Sequence, residues 1–380
     1  MNLLSKLPNV GTTIFTVMSQ MAHDYKAINL AQGFPNFAPH PELLDAAAQA
    51  MQRGLNQYAP MAGYLPLRER IAEKIEDCYQ RSVHPDTEIT VTPGGTAALF
   101  AAMMSLVQQG DEVILPEPCY DSYLPTLELC GAVVKRVPMR FPEYAVDWDA
   151  VRHHINPKTR MIILNSPHNP TGSILHKADM ERLSAMVRNT DIIILSDEVY
   201  EHITFDGEQH ESVLRHDTLA ERSIVVSSFG KTFHVTGWKT GYAVAPTELM
   251  REFRKVYQFM NFASFTPAQA AFTEMLAKPE HYKSLPAFYQ SKRDLFRRYM
   301  AHSRFEFLPS EGSYFQLARY SAISEKSDTD FAVWLTQKHG VAVIPVSAFY
   351  KDATDNHVIR FCFAKTDETL ERAAEALCKI

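Results

Sequence analysis

The chain alternates short, continuously apolar runs with longer segments that have a helical pattern of apolar residues. Residues 192–195 are typical, because this run is rich in β-branched side chains and lacks the alternation of a half-exposed strand. Such strands are covered by helices on both faces, and strands that alternate with helices form a mainly parallel sheet. We therefore predict an α/β fold whose large domain holds a mainly parallel, seven-stranded sheet, with strands near 89–92, 112–115, 133–137, 161–164, 192–195, 224–227 and 242–245.

The segments on either side of this sheet have a different pattern. An irregular run rich in Gly, Pro and Asn, residues 32–37, is typical of an arm that lies over a site, and a helix is predicted at 41–53. After Lys278-Pro279 a helix extends to about His302, and separated strands follow. We predict an N-terminal arm (1–40) that belongs to the small domain and covers the active site, a large domain (41–280) and a smaller C-terminal α+β domain (281–380).

The composition favours a small-molecule ligand. The 380 residues carry a formal net charge of −6 with both signs interspersed, so neither nucleic acid nor a membrane is an expected partner. The longest nearly apolar stretch, 97–107, is too short to cross a bilayer, and the first residues lack the pattern of a secretion signal. Five scattered cysteines without a C-x-x-C pair favour neither disulfides nor structural zinc, and no metal site is expected. These features predict a cytoplasmic protein.

One lysine stands at a predicted strand end. The run Ser227-Ser228-Phe229-Gly230-Lys231-Thr232 lies at the sheet edge where open α/β proteins bind ligands. Its hydroxyls suit a phosphate and its amine suits a carbonyl, which together indicate pyridoxal phosphate bound to Lys231 as a Schiff base. A nucleotide-binding G-x-x-x-x-G-K-[ST] loop is excluded because Val225 stands where its first glycine is required. Taken alone, the motif leaves a solvated lysine as the alternative.

Three other strand ends carry polar residues. Thr92-Pro93-Gly94-Gly95-Thr96 opens a predicted helix whose free N–H groups suit a phosphate, although a simple helix cap is the alternative. Asp197 is placed to pair with a protonated pyridine nitrogen and Tyr200 to donate to the ring's phenolic oxygen, with a capping aspartate and a core tyrosine as the alternative. Asn169 lies in a rigid, proline-rich turn that would hold its side-chain amide in place, with a plain connecting loop as the alternative.

The motifs together resemble a known family. Asn-Pro-Thr-Gly at 169–172, Ser-Asp-Glu-Val-Tyr at 196–200 and Ser-Phe-Gly-Lys at 228–231 resemble, in order and spacing, the fold-type I pyridoxal-phosphate aminotransferases of the aspartate aminotransferase superfamily. The resemblance covers nearly the whole chain. Segments 32–35, 56–60, 120–123 and 236–239 are more narrowly similar to the methionine and aromatic aminotransferases related to kynurenine aminotransferase and glutamine transaminase K. A bacterial methionine aminotransferase is therefore implied.

The resemblance implies a cofactor-binding role for each matching residue. Lys231 would carry the cofactor and act as the catalytic base, while Asp197 would pair with the pyridine nitrogen and Tyr120 would stack on the ring. The remaining cofactor contacts would come from Asn169 and Tyr200 at the ring oxygen, and from Gly95, Thr96, Ser228 and Lys239 at the phosphate. The family often has arginine where Lys239 stands, and lysine keeps the charge but loses the bidentate fork.

The same resemblance implies a substrate site that is completed in a homodimer. Arg360, a charged residue in an otherwise apolar strand, would bind the substrate α-carboxylate together with Gly33 and Asn169. Tyr58 matches a residue that reaches the cofactor phosphate from the neighbouring subunit, so the active sites would be shared. The candidate aromatic residues for an apolar side-chain pocket are Phe15, Phe34, Tyr64 and Phe315.

The implied reaction moves the amino group of methionine or an aromatic amino acid, with glutamine as a further candidate, to a 2-oxo acid by a ping-pong mechanism. The leading alternative is a cysteine-conjugate carbon–sulfur β-lyase on the same fold, with the same lysine and cofactor. A transcription regulator would need an attached DNA-binding module, for which the chain has neither the spare length nor a basic helix-turn-helix. A catalytically silent relative is disfavoured because every chemical position is filled.

Overall fold

The computed structural model describes residues 3–380. Its helices are α1 Ile14–Asp24, α2 Pro41–Gln52, α3 Leu65–Tyr79, α4 Gly95–Leu106, α5 Tyr123–Cys130, α6 Trp148–His154, α7 Lys177–Val187, α8 Asp217–Ala220, α9 Phe229–Thr232, α10 Thr247–Met260, α11 Thr266–Leu276, α12 Glu280–Lys283, α13 Leu285–Tyr299, α14 Asp328–His339 and α15 Asp367–Leu377. Its strands are β1 Ile28–Asn29, β2 Ile89–Thr92, β3 Glu112–Glu117, β4 Val133–Pro138, β5 Thr159–Asn165, β6 Ile193–Asp197, β7 Ser223–Ser228, β8 Gly241–Val244, β9 Glu306–Phe307, β10 Phe315–Arg319, β11 Val341–Ala342, β12 Ile344–Pro345 and β13 Val358–Cys362.

The predicted large sheet is confirmed. It has seven strands in the order β2-β8-β7-β6-β5-β3-β4, and its pairs are parallel except that β8 runs antiparallel to both of its neighbours. Because β8 separates two strands of the same direction, the carboxyl ends of β2, β5, β6 and β7 lie at one edge. Strand β6 extends beyond the predicted end, since Ser196 and Asp197 pair with Val225 and Val226 of β7.

Helices cover both faces of this sheet, which explains why its strands are apolar throughout. Val113 and Leu115 of β3 belong to the hydrophobic cluster on one face, together with α4 and α10, whereas Ile114 belongs to the cluster on the other face. Helix α4 is apolar nearly all round, as expected for a helix packed between the sheet and other helices. The sheet therefore provides a rigid, buried platform, and polar groups are left to the strand ends.

Two smaller sheets complete the fold. Strands β12, β13, β10 and β9 form an antiparallel sheet, and β1 near the N-terminus pairs in parallel with β11. The single helix expected after Lys278-Pro279 is divided into α12 and α13. Pro286 lies in the first turn of α13, where its missing N–H is harmless but cannot continue α12. None of the helices within residues 3–380 has the length and apolar character needed to span a membrane.

Candidate active site

A cavity of about 330 Å³ opens at the carboxyl edge of the large sheet. Except for Tyr58, all the residues predicted to form the site line it: Gly33, Gly95, Thr96, Tyr120, Asn169, Asp197, Tyr200, Ser228, Lys231, Lys239 and Arg360. Of the four aromatic candidates for a side-chain pocket, Phe15 and Phe315 are part of the lining, whereas Phe34 and Tyr64 are not. Segments that are far apart in sequence thus meet at the end of the sheet.

One end of the cavity is built to receive an anion. Helix α4 begins at Gly95 and directs the free N–H groups of its first turn, and its positive dipole end, toward the cavity. Lys239 lies close to this helix start, because a Cβ added to Gly94 would be 3.5 Å from its Nζ. Ser228, at the end of β7, adds a hydroxyl. Helix start, ammonium and hydroxyl together form a phosphate-binding arrangement.

Gly241 makes this arrangement possible. It pairs with both Ser228 of β7 and Thr92 of β2, so it lies directly beneath the start of α4. A Cβ at position 241 would stand 2.5 Å from the Ser227 carbonyl oxygen and 3.1 Å from Gly95 N. Since any side chain would occupy that space, glycine allows the helix start to approach the sheet closely enough for its N–H groups to face the cavity.

The other end of the cavity carries a buried carboxylate. Asp197, at the end of β6, accepts a hydrogen bond from Tyr123 Oη at 2.6 Å and one from Val199 N at 3.3 Å. Burial raises the pKa of Asp197 to about 6, although these hydrogen bonds partly oppose the rise. A cationic partner in the cavity would favour the ionised form. A protonated pyridine nitrogen supplies such a partner.

Lys231 is half-buried and lines the cavity beside neutral groups. Its Nζ donates to the Gly33 carbonyl oxygen at 3.1 Å and to Tyr314 Oη at 3.0 Å. Burial lowers the pKa of Lys231 to about 8, and the cations Arg360 and Lys239 add to this effect. An amine with a pKa near neutrality is available as a nucleophile and as a base.

Arg360, on β13, is fully buried and faces the same cavity. Its Nη1 donates to Asn169 Oδ1 at 2.6 Å and its Nη2 to the Ala31 carbonyl oxygen at 2.9 Å, while its Nε has no hydrogen-bond partner among the described residues. Burial lowers the pKa of Arg360 to about 10. A buried guanidinium whose partners are uncharged oxygens is ready to receive a carboxylate.

Asn169 is oriented by its neighbours. Its backbone N–H donates to Asn165 Oδ1 at 2.9 Å, and Asn165 Nδ2 donates in turn to the Asp197 carbonyl oxygen at 2.9 Å. With Oδ1 of Asn169 engaged by Arg360, its Nδ2 remains as the donor for a ligand. Asn169 therefore links the arginine to the cofactor side of the cavity.

The donor set fits pyridoxal phosphate. The anion-binding end suits its phosphate, Lys231 suits its aldehyde, and Asp197 suits its ring nitrogen. The orphaned Nε of Arg360 and the raised pKa of Asp197 both indicate that each side chain is built for a charged partner from the ligand. The rings of Tyr120 and Tyr200 line the space between these groups.

Tyr58 lies apart from the cavity. Its side chain is on the surface, 82% exposed, with its ring 5.5 Å from that of Phe262. In this single chain it contacts none of the groups that line the cavity. The expected role of Tyr58 in the active site of a neighbouring subunit thus stays a prediction.

Several functional contacts had no signal in the sequence. Tyr314 contacts Lys231, yet it lies within a strand predicted at 313–317 and is indistinguishable from a core tyrosine. Tyr123 binds Asp197, although its motif singled out only Tyr120 as the stacking residue. Each contact joins residues more than 70 positions apart, so local pattern carries no information about it.

Outside the cavity, His40, Glu42 and His281 form a small group with the atoms to hold a metal ion. It lies at the start of α2 on the surface of the described chain. Lys278 Nζ is 2.6 Å from Glu42 Oε2, so the carboxylate such an ion would require is already paired.

Comparison with known proteins agrees with this geometry. The profile of aminotransferase class I and II matches residues 25–377. Methionine aminotransferase of Escherichia coli is 50% identical over 374 residues, covering 98% of this chain and 97% of that protein. A kynurenine–oxoglutarate transaminase of Dictyostelium discoideum is 32% identical, covering 97% and 94%. The crystal structure of E. coli YbdL, identified as a methionine aminotransferase, superposes with a TM-score of 0.98 at 48% identity over the whole of both chains.

Most of the chain matches a single family profile, the relatives match end to end, and the cavity presents the groups that this family's chemistry requires. The chain belongs to the aminotransferase class I and II family, whose members depend on pyridoxal phosphate.

Proposed function

We propose that this aminotransferase takes methionine as its principal amino donor, accepts aromatic amino acids as well, and passes the amino group to a 2-oxo acid by a ping-pong mechanism. Glutamine is a further donor to be tested. The 50% identity to the E. coli methionine aminotransferase supports methionine as the donor.

The observation that carries this proposal is the arrangement of charges in the cavity. Among the described residues, three cations line the cavity: Lys239 near the start of α4, Lys231 after β7, and Arg360 on β13. With Lys239 assigned to phosphate and Lys231 to the aldehyde, Arg360 remains for one substrate carboxylate. The ring of Phe315 lies 3.9 Å from the Arg360 guanidinium and that of Phe15 lies 5.3 Å from it. A monocarboxylate with an apolar side chain fits this arrangement better than a dicarboxylate.

The cofactor, when bound, supplies an aldehyde that accepts the amino group and a ring that withdraws electrons from the substrate α-carbon. Around it, Asp197 would keep the ring nitrogen protonated, while Asn169 and Tyr200 would donate to the ring oxygen. Lys231 would hold the aldehyde between turnovers. Once displaced by the substrate amine, its own amine would carry the α-proton as a base and return it as an acid.

The orientation of the substrate would depend on Arg360. A guanidinium offers a carboxylate two parallel hydrogen bonds, and these bonds fix the direction of the α-carbon. The Gly33 backbone approaches the same region, since its carbonyl oxygen is already 3.1 Å from Lys231 Nζ. The carboxylate would thus be held on the side of the cavity where the lysine amine reaches the α-proton.

The proposed assembly is a cytoplasmic homodimer in which Tyr58 of each subunit reaches the phosphate of the other. Tyr58 is strongly exposed, and its ring packs against that of Phe262, which is exposed as well. Exposed aromatic side chains that lie together are typical of an interface.

A half-reaction tests the donor. Purified enzyme with bound cofactor receives methionine without an oxo acid, and the absorbance band of the cofactor is followed. We expect one equivalent of 2-oxo acid and a shift of the band that an added oxo acid reverses. An unchanged band with methionine, but a shift with aspartate or glutamate, would overturn the proposed specificity. Steady release of pyruvate from cysteine conjugates without that shift would indicate the β-lyase instead.

Mixed dimers test the placement of Tyr58. Lys231→Ala and Tyr58→Ala subunits are each expected to be impaired. In a mixed dimer, the site containing Lys231 of the Tyr58→Ala subunit receives an intact Tyr58 from the other chain. Recovery of activity on mixing supports exchange between subunits. No recovery in dimers shown to be mixed would mean that Tyr58 acts within its own chain or not at all.

A further inference from the structure

Three distant segments meet at the amine of Lys231. The Gly33 carbonyl oxygen belongs to the N-terminal segment, Tyr314 immediately precedes β10 of the antiparallel sheet, and Lys231 follows β7 of the large sheet. The three polar atoms form a closed triangle: Lys231 Nζ lies 3.1 Å from Gly33 O and 3.0 Å from Tyr314 Oη, and Tyr314 Oη lies 2.5 Å from Gly33 O.

The direction of each hydrogen bond follows from the groups present. A carbonyl oxygen only accepts, so the Tyr314 hydroxyl donates its single hydrogen to Gly33 O. The hydroxyl oxygen is then an acceptor toward Lys231. A neutral amine has two N–H bonds and one lone pair, and in this triangle the two N–H bonds point to Gly33 O and Tyr314 Oη. The lone pair is left without a partner and can take up a proton.

We propose that Tyr314 is a positioning residue for the transamination, because its hydroxyl, together with Gly33 O, holds the free Lys231 amine with the lone pair directed at the substrate α-proton. This inference rests on the proposed role of Lys231 as the base. A phenylalanine ring could pack at position 314 equally well, so the proposal gives the Tyr314 hydroxyl a function beyond packing.

The surroundings of Tyr314 support a hydroxyl that stays protonated. Its side chain is fully buried, and burial raises its pKa well above the ordinary value for tyrosine. It therefore acts as a fixed dipole and not as an alternative base. The charged and titratable groups that act on Lys231 besides Tyr314 are Asp197, Arg360, Lys239, Cys362 and the ring of Tyr200, 5.5 Å away.

The chain supplies a matched control in Tyr289. This tyrosine is also fully buried, its ring lies 5.7 Å from that of Tyr314, and its hydroxyl has no hydrogen-bond partner among the described residues. Tyr289→Phe and Tyr314→Phe thus remove the same atom from the same aromatic cluster. Only Tyr314→Phe removes a contact to Lys231.

The first measurement needs no cofactor. In the apoenzyme, Lys231 is labelled with acetic anhydride over about pH 6 to 11, and the modified peptide is quantified by mass spectrometry. The Tyr314 hydroxyl accepts from the ammonium form, so its removal should lower the labelling midpoint by about one pH unit. Tyr289→Phe should label like the wild type. A Tyr314→Phe midpoint equal to that of the wild type would overturn the proposal.

The second measurement separates chemistry from binding. In single turnovers with methionine, Tyr314→Phe should slow proton transfer by at least about tenfold while the apparent Kd for methionine stays within about twofold. Tyr314→His, which restores a polar ring atom, should recover part of the rate and of the labelling midpoint. Equal rates for Tyr314→Phe and Tyr289→Phe would refute the positioning role. If the wild type itself shows no half-reaction with methionine, the proposed donor fails, and the labelling midpoint still decides the Tyr314 contact.

Discussion

Lys74 is buried and Lys231 is half-buried in the cavity, and their partners give these two lysines opposite acid–base behaviour. Lys74, on α3, contacts the Glu201 carboxylate and donates to Tyr242 Oη at 2.7 Å. Burial is the largest single influence and opposes its charge, but the attraction and hydrogen bond of Glu201, together with Tyr242 and Cys78, outweigh burial and raise the pKa of Lys74 above 10.5. Lys231 has a carbonyl and a hydroxyl as partners, and its pKa falls to about 8. Burial therefore lowers the pKa of a lysine, and so makes its amine reactive, only where no carboxylate contacts that amine.

The two lysines are connected through the chain. Glu201 follows Tyr200, which lines the cavity, and accepts one hydrogen bond from Ser227, which precedes Ser228 in β7. The ion pair of Lys74 and Glu201 joins α3 to the turn after β6, and the Ser227 hydrogen bond joins that turn to the strand that leads into Lys231. One lysine stabilises the framework in which the other carries out chemistry.

The largest effect is expected from Lys231→Ala. Loss of the base and of the group that holds the cofactor should reduce turnover by at least about a thousandfold. The free energy of unfolding should not fall, since the variant removes a buried amine without a carboxylate partner. Steady-state rates and denaturant unfolding of the same preparation test both statements. Substantial remaining transamination would mean that Lys231 does not carry out the chemistry, and the functional contrast with Lys74 would fail.

The reverse pattern is expected from Lys74→Met. Removing one partner of a buried ion pair leaves the Glu201 carboxylate uncompensated and should destabilise the fold by about 3 to 5 kcal/mol. The double variant Lys74→Met/Glu201→Gln should regain much of this loss. Lys255→Met, which removes an exposed lysine paired with Glu252, is the control and should change stability by less than about 1 kcal/mol. Similar losses of unfolding free energy in Lys74→Met and Lys255→Met would show that the buried ion pair contributes no more to stability than the exposed pair.

The two lysines should also differ in how pH affects stability. In the apoenzyme, the pKa of Lys231 is about 8 in the folded state and 10.5 in the unfolded chain, so between these values the unfolded state binds more protons. The stability of the wild type relative to Lys231→Met should therefore rise with pH across this window, at about 1.4 kcal/mol per unit. Its stability relative to Lys74→Met/Glu201→Gln should stay constant across the same window, because the folded pKa of Lys74 lies above 10.5 and no unpaired carboxylate remains at position 201. If the two stability differences changed with pH in the same way, the pKa values of Lys231 and Lys74 would not be shifted in opposite directions.

A smaller effect is expected from Ser227→Ala. Glu201 keeps its ion pair with Lys74 but loses one hydrogen bond to a charged oxygen, so destabilisation of about 1.5 to 3 kcal/mol is expected. The labelling midpoint of Lys231 should not move, because the hydroxyl does not face the cavity. A shifted midpoint would mean that the framework and the reactive lysine are coupled electrostatically as well as mechanically.

The strand pattern and the motifs were sufficient to predict many of the residues that line the cavity. Lys231, Asp197 and Ser228 stand at the ends of recognisable apolar strands, and parallel strands bring such ends together at one edge. Lys74 does not stand at the end of an apolar strand, so the sequence does not mark it in this way. It lies among charged residues of an amphipathic helix, where most lysines are solvated, and its partner Glu201 is 127 positions away.

The sequence by itself determined the strands of the large sheet, the edge of that sheet where ligands bind and the family, because these follow from local periodicity and from motifs within single segments. Only the tertiary structure decided which groups touch: Tyr314 with Lys231, Arg360 with Asn169, and Lys74 with Glu201. Burial and the choice of partner set the charge state of each of these groups. Both are properties of the packed chain, in which residues distant in sequence exclude water from one another.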